Sequence, residues 1–414
     1  MKFQFGEQQA VELANDPRAI LGPSSDEVVA DLAAEVRLRL AAPLDFPPLA
    51  ATTVPGDTAA IALGRGVPQP EQVVLGAIAA LLDAGVEPTD IAVVSCEKFA
   101  AERDLAQGID SLGASGVKFV LHEPEQEEST AMVGVMRDDE PLRFNCALAE
   151  ADFVLPIGTT EPTRQVFEDA EPTPTSKFAS LYPHFSDEAT QTRFQKTNKK
   201  LAPKSRRKLF DQQEEAGWLL GVLSTIQIIP GRDNQVSAVV VGEAGKAAEA
   251  AASAMQTIWS PVCEETADLV VAAMPGSPTQ QTWENLDHAL AAAERVVSPS
   301  GSIALLCEIN EKARGSLRRL RDADDLAEVE RKLMRDEDPT AGIALRLVQA
   351  IARGPVYLMS KLPKGEVESL GMTPIASEAE LKRLIGNHES TIVIEEAHRL
   401  VPQVSIASVS AAGR

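Results

Sequence analysis

A strand-helix-strand unit within residues 58–99 restricts the fold of this chain more than any other stretch. Residues 59–63 are apolar and bounded by turn residues, which is typical of a short buried strand. After a turn at 64–66, apolar side chains recur over 70–82 at the spacing of one helical face. A second apolar run, 91–94, then begins another strand. The pattern predicts parallel strands joined by a helix, and therefore an α/β fold.

Two cations follow the carboxyl ends of these predicted strands. Arg65 lies in the turn after the first strand, and Lys98 lies shortly after the second. In open parallel sheets the carboxyl ends of the strands form the edge where ligands bind. We therefore expect Arg65 and Lys98 to share one rim that suits an anionic group. The alternative is that both are cations on ordinary loops.

The same alternation of strand and helix periods returns after residue 268 and continues through the rest of the chain. It predicts two parallel-sheet α/β domains, 1–262 and a smaller 263–414, with the ligand site in a cleft between them. Residues 1–57 read as a proline-rich lead-in, with a helix start at 24–27.

Composition restricts the compartment and the partners. The chain has 414 residues and a formal net charge of −22, which disfavours binding to nucleic acid or to an anionic membrane through the whole surface. The four cysteines form no C-x-x-C pair, so neither a zinc site nor a disulfide framework is predicted. No signal-peptide pattern and no apolar run of about 18 residues is present, so we expect a cytoplasmic protein.

A local reversal of charge between residues 193 and 208 leaves a further interpretation open. Eight lysines and arginines fall in this stretch of an otherwise acidic chain. They could form a binding site for phosphate or nucleic acid, but aromatic residues are not interleaved as in single-strand binders. A solvated helix face is the alternative.

The order of motifs resembles the nickel-dependent lactate racemase family along nearly the whole chain. The turn that follows the first strand, the helix and strand after it, and the acidic segment before a later strand occur in the family's order. A proline- and glycine-containing turn after a strand of the second domain is also similar. The segments that carry the resemblance are 62–68, 84–91, 122–123, 148–158, 267–271 and 275–278.

This resemblance implies a two-domain fold whose cleft holds a nickel pincer nucleotide, a nicotinate-derived cofactor tethered to a lysine. The family interconverts 2-hydroxy acids by removing hydride from the α-carbon and returning it to either face. Arg65 matches the family's arginine in the first turn, whose planar fork suits a carboxylate or a phosphate, and we expect it to bind the substrate. The two catalytic histidines of the family are replaced here, with Lys98 and Glu161 as the nearest candidates for acid–base roles.

The cofactor and substrate positions are changed as well. Lys177 keeps the place of the cofactor-bearing lysine without the glycines around it, and Gln195 stands where a nickel-ligand histidine would. His184 is close in sequence and is an alternative ligand. In the second domain, Trp283 and Glu284 replace the Tyr-Gln pair of the substrate-binding wall. Because Gln195 replaces the nickel-ligand histidine, no metal ligand set is predicted from this chain's own residues.

Three hypotheses follow from these substitutions. The first is an isomerase that acts on a 2-hydroxy acid or a similar small carboxylate with altered chemistry. The second is a non-catalytic relative that binds a small anion or a partner protein, with no cofactor. The third is a phosphate or nucleic-acid module that uses the basic stretch. Association into a homo-oligomer is compatible with each of them.

Overall fold

The computed structural model describes residues 2–7, 9–12, 17–160, 176–198, 203–321, 323, 325–336, 338 and 340–405. The chain divides into two compact units. The first consists of residues 25–255, and the second combines residues 1–24 with residues 256–414. We call them the central unit and the terminal unit.

Strands and helices alternate through both units. The strands are β1 (Lys2–Phe5), β2 (Gln9–Glu12), β3 (Ala19–Leu21), β4 (Ala59–Leu63), β5 (Ile91–Ser95), β6 (Lys118–Leu121), β7 (Thr130–Val135), β8 (Pro141–Asn145), β9 (Phe153–Thr159), β10 (Ser224–Pro230), β11 (Val236–Glu243), β12 (Val262–Cys263), β13 (Ala267–Ala273), β14 (Val297–Leu306), β15 (Val356–Met359), β16 (Thr373–Pro374), β17 (Thr391–Ile394) and β18 (Gln403–Val404). The α-helices are α1 (Leu32–Ala41), α2 (Pro70–Asp83), α3 (Glu102–Leu112), α4 (Cys146–Ala149), α5 (Glu188–Asn198), α6 (Pro203–Leu219), α7 (Ala244–Trp259), α8 (Trp283–Glu294), α9 (Leu326–Leu333), α10 (Ala341–Arg353), α11 (Lys364–Ser369) and α12 (Glu378–Gly386).

The central unit is built on a sheet with strand order β11-β10-β9-β4-β5-β6. Strands β10, β9, β4, β5 and β6 are parallel, and β11 pairs antiparallel with β10 at the edge. Every residue of β4 is buried, because one hydrophobic cluster lies on each face of the sheet. The predicted strand-helix-strand unit is confirmed as β4, α2 and β5.

The terminal unit contains a second parallel sheet with strand order β16-β15-β14-β13-β17-β3. Its strand β3 comes from the amino-terminal stretch and pairs with β17, so that Ile20 lies opposite Val393. The structure therefore places residues 1–24 in the terminal unit, whereas the predicted boundary assigned them to the first domain. The pairing of β3 with β17 joins residues that are far apart in sequence, so a local sequence pattern could not predict it.

The first helix also begins later than the sequence predicted. The expected start at residues 24–27 is wrong, because α1 begins at Leu32 and the Asp31 carboxylate caps it by accepting from the Ala34 N–H at 3.0 Å. Before the helix the chain has no helical turn, and the Val29 N–H donates to the Val236 carbonyl oxygen at 2.8 Å. The stretch before Asp31 is thus hydrogen-bonded to the edge strand β11 and does not start the helix.

No helix among the described residues is long and apolar enough to cross a membrane.

Candidate functional site

The carboxyl edge of the central sheet has a topological switch point between β4 and β9. From β4 the chain passes through α2 to β5 on one side, while β9 pairs with β4 on the other side. Ligands bind at such points in open α/β sheets. Arg65 is the second residue after β4 and is exposed, and the Thr159 hydroxyl of β9 donates to the Gly66 carbonyl oxygen at 3.3 Å. Arg65 therefore lies in a turn at the switch point whose next residue, Gly66, is bonded to β9, and its role in binding stays a prediction.

Residues 176–187, which we call the covering segment, lie across this edge. Ser180 sits over two glycines at the ends of neighbouring strands, Gly64 after β4 and Gly158 in β9. A Cβ atom on Gly64 would lie 2.8 Å from Ser180 Cβ, and one on Gly158 would lie 2.7 Å from Ser180 Oγ. Only glycine allows the segment to approach the strand ends this closely.

Backbone carbonyls hold the other end of the covering segment against the end of β5, against β8 and against α5. The Cys96 thiol donates to the His184 carbonyl oxygen at 3.2 Å, and the Asn145 N–H donates to the Phe185 carbonyl oxygen at 2.9 Å. The Gln191 side-chain amide donates to the carbonyl oxygens of His184 and Ser186, at 3.1 and 3.0 Å. The segment is a fixed wall of the site.

The tautomer of the buried His122 follows from its two neighbours. Its Nε2 lies 3.0 Å from the Ser186 carbonyl oxygen, which can only accept, so Nε2 carries the proton. Its Nδ1, 3.3 Å from the Asn145 side-chain nitrogen, then accepts. Burial lowers the pKa of His122, and the charge of Arg65 lowers it further. The hydrogen bond to Ser186 and the charge of Glu125 act in the opposite direction but are weaker. His122 is a neutral structural group that holds the wall.

Two titratable groups near the Arg65 guanidinium, the Cys96 thiol and the His184 imidazole, are uncharged at neutral pH. Burial raises the pKa of the Cys96 thiol to about 11 against the attraction of Arg65, so the thiol is protonated. Burial, and after it the charge of Arg65, lowers the pKa of His184 to about 4, so this imidazole is neutral. Within the described part of the chain, no carboxylate forms an ion pair with Arg65. Its charge is available to an external anion.

The two predicted acid–base residues have different outcomes. Lys98 lies three residues after the end of β5 and is exposed, on the same edge as Arg65. Its catalytic role stays a prediction. Glu161 lies outside the described residues.

The residues at the cofactor positions do not fit a nickel-bearing group. Gln195 lies on α5 and is exposed to solvent, and an amide is a weaker nickel ligand than imidazole. Nowhere in the described chain do three or more His, Cys, Asp or Glu side chains form a group that could hold a metal ion. Lys177 is engaged in an ion pair, its Nζ 2.7 Å from Glu214 Oε2. We therefore derive no chemistry through a nickel centre.

The two predicted substrate residues of the second domain belong to the terminal unit. Trp283 is only 2% exposed, and its indole N–H donates to the Glu311 carbonyl oxygen at 3.0 Å. Its ring is therefore part of the core of that unit. Glu284 is exposed in the first turn of α8. Their roles in substrate binding stay predictions.

Several charges of the basic stretch are paired with acids. Arg193 lies 3.4 Å from Glu140, and Lys208 lies 3.2 Å from Asp138. Arg207 pairs with Asp211 within α6 at 3.1 Å. These pairs favour the solvated helix face over a binding site for phosphate or nucleic acid.

Sequence reasoning did not place the imidazole of His184 beside Arg65, nor the thiol of Cys96 under the covering segment. The signal that could have found them is positional. Cys96 directly follows β5, and His122 directly follows β6, so both lie on the same sheet edge as Arg65. His184 carries no such signal, because the fold of residues 176–187 has no strand or helix period.

Comparisons with known proteins agree with this architecture. Residues 5–165 match the family described as "Lactate racemase N-terminal domain". The chain is similar to the lactate racemase apoprotein from Thermoanaerobacterium thermosaccharolyticum, with a TM-score of 0.71 and 16% identity over 97% of this chain and 99% of that one. It is also similar to a structural-genomics protein from Thermotoga maritima, with a TM-score of 0.62 and 14% identity over 92% and 99%. No curated protein matches it in a sequence search.

Proposed function

We propose that this chain is a member of the lactate racemase family that binds a small carboxylate of the 2-hydroxy acid kind at Arg65, which the match of residues 5–165 to the family's amino-terminal domain supports. Binding without nickel-hydride chemistry is the function that the residues of the central unit support best.

One observation carries the proposal. An exposed guanidinium lies at the switch point of a parallel sheet, surrounded by a neutral thiol and a neutral imidazole, with no ion pair to a described carboxylate. The planar fork of an arginine matches the two oxygens of a carboxylate. Cys96 and His184 add no second positive charge beside Arg65, which suits a monoanion better than a doubly charged phosphate.

The neighbouring side chains would orient the ligand. A neutral imidazole offers one donor and one acceptor, so His184 can accept a hydrogen bond from a hydroxyl group next to the carboxylate. The Cys96 thiol is held by the His184 carbonyl and stays protonated, so it is not a thiolate nucleophile. The residues present therefore support recognition rather than covalent catalysis.

Calorimetric titration with D-lactate, L-lactate, acetate and inorganic phosphate tests the proposal. We expect the wild type to bind the lactates more tightly than phosphate. Arg65→Ala should weaken lactate binding about 10- to 100-fold, since a charge-assisted hydrogen-bond pair contributes about 1.5–3 kcal/mol. Arg65→Lys should be intermediate, because an ammonium lacks the planar fork.

Lys118→Met is the matched control, because it removes an exposed cation from the opposite, amino-terminal edge of the same sheet. Its affinity for lactate should equal that of the wild type. Equal lactate affinity in the wild type and in Arg65→Ala would show that the site lies elsewhere. Interconversion of the two lactates by the purified protein would instead support the isomerase hypothesis.

A further inference from the structure

The lysine that resembles the family's cofactor attachment point has a different environment in this chain. Lys177 is the second residue of the covering segment, and its Nζ lies 2.7 Å from Glu214 Oε2 on α6. Both groups are mostly buried, with side-chain exposures of 29% and 25%. We propose that Lys177 is a structural cation that clamps the covering segment to α6, and that this chain does not carry a lysine-tethered cofactor. The proposal is independent of carboxylate binding at Arg65.

Both oxygens of Glu214 are used by the start of the covering segment. The Ser176 hydroxyl donates to Oε1 at 2.7 Å, while the Lys177 ammonium occupies Oε2. Ser176 Oγ in turn accepts from the Phe178 N–H at 3.1 Å. Two consecutive residues of the segment are thus bound to one carboxylate, and Phe178 is bound to the first of them.

The ring of Phe178 completes the clamp. The Lys177 ammonium lies 5.2 Å from the centroid of this ring, in the range of a cation–π contact. On α6, a Cβ atom on Gly217 would lie only 2.3 Å from the ring, so the glycine permits direct contact between helix and segment. The ammonium is thus held between a carboxylate and an aromatic face.

This environment opposes the chemistry of attachment. An amine must be deprotonated before it can attack an acyl carbon, and a carboxylate in contact favours the charged ammonium. A second carboxylate is also near. Burial raises the pKa of Glu243, but the backbone N–H groups of Gly245 and Lys246 and the charge of Lys177 together lower it below its usual value. Lys177 therefore interacts with two carboxylates, Glu214 in an ion pair and Glu243 through its charge.

The first test is the intact mass of the protein, made in cells that also produce the nickel pincer nucleotide. A lactate racemase expressed in the same cells must carry the cofactor mass, which shows that the pathway is active. We expect this chain to carry no added mass and no nickel. An adduct on Lys177 would overturn the proposal.

The second test measures hydrogen exchange in residues 176–187. Lys177→Met and Glu214→Gln should each raise the exchange rate of these amides about tenfold, and the double variant should raise it no further, because both remove the same contact. Lys177→Arg keeps the charge and should stay close to the wild type. Unchanged exchange in Lys177→Met, or additive effects in the double variant, would contradict the clamp.

Discussion

Substitution of Gly158 by alanine should disturb the wall of the Arg65 site in a way that one further substitution repairs. Gly158 lies in β9 under Ser180, and an alanine Cβ there would be 2.7 Å from Ser180 Oγ and 2.8 Å from Ser180 Cβ. Carbon atoms in contact normally stay about 3.5–4.0 Å apart, so the covering segment must move by roughly 0.7 Å or more. Ser180→Gly removes both offending atoms.

The expected cost follows from this overlap. Overpacking of this kind destabilises a protein by about 1–3 kcal/mol, which lowers the melting temperature by about 2–12 °C for a unit of this size. Gly158→Ala combined with Ser180→Gly should melt close to Ser180→Gly alone. Gly64→Ala should be rescued less, because its Cβ would also lie 2.8 Å from the Ile157 carbonyl oxygen, which Ser180→Gly leaves in place.

Thermal unfolding followed by circular dichroism, together with lactate titration, measures both consequences. Gly134→Ala is the matched control in the same unit, because its Cβ would meet Leu219 at an ordinary 3.5 Å, and its stability should change by less than about 0.5 kcal/mol. If Ser180→Gly fails to restore Gly158→Ala, the covering segment does not rest on the strand ends as described, and the reasoning is refuted.

Three further predictions concern single side chains. Because the pKa of His184 is about 4 in the fold and near 6.5 in an unfolded chain, its neutral ring stabilises the protein at pH 7, and this contribution is lost as the pH falls from about 6.5 to 4. Between pH 7 and pH 5, the free energy of unfolding measured in urea should fall by about 1–2 kcal/mol more for the wild type than for His184→Gln. An equal fall in both proteins would contradict this prediction. Arg346→Met should destabilise the terminal unit by about 3 kcal/mol, because Arg346 lies 2.8 Å from Asp287 and 3.2 Å from Glu294 and both carboxylates would lose a buried partner. A shift in the melting temperature below 2 °C would rule this out. Asp31→Ala should cost about 1 kcal/mol by removing the cap of α1, measured by urea unfolding against Asp57→Ala in a nearby turn.

The covering segment shows how far residues distant in sequence decide this site. Its contacts join Ser180 to Gly64 and Gly158, and the carbonyl of His184 to Cys96. Each of these contacts joins residues from separate elements of the fold. The sequence of the segment shows no helical or strand periodicity from which its position could be predicted. The neutral state of His184 follows from the same packing, because burial rather than sequence neighbours sets its pKa.

The sequence by itself determined the class of fold and one residue of the site. Strand and helix periods are local properties of the chain, so they predicted the parallel sheets, and the turn after β4 put Arg65 at the carboxyl edge. Tertiary structure alone decided that β3 joins the terminal sheet and that Lys177 is paired with Glu214. The physical reason is that hydrogen bonds, ion pairs and desolvation depend on which distant groups come together, and an amino-acid pattern reports only the near ones.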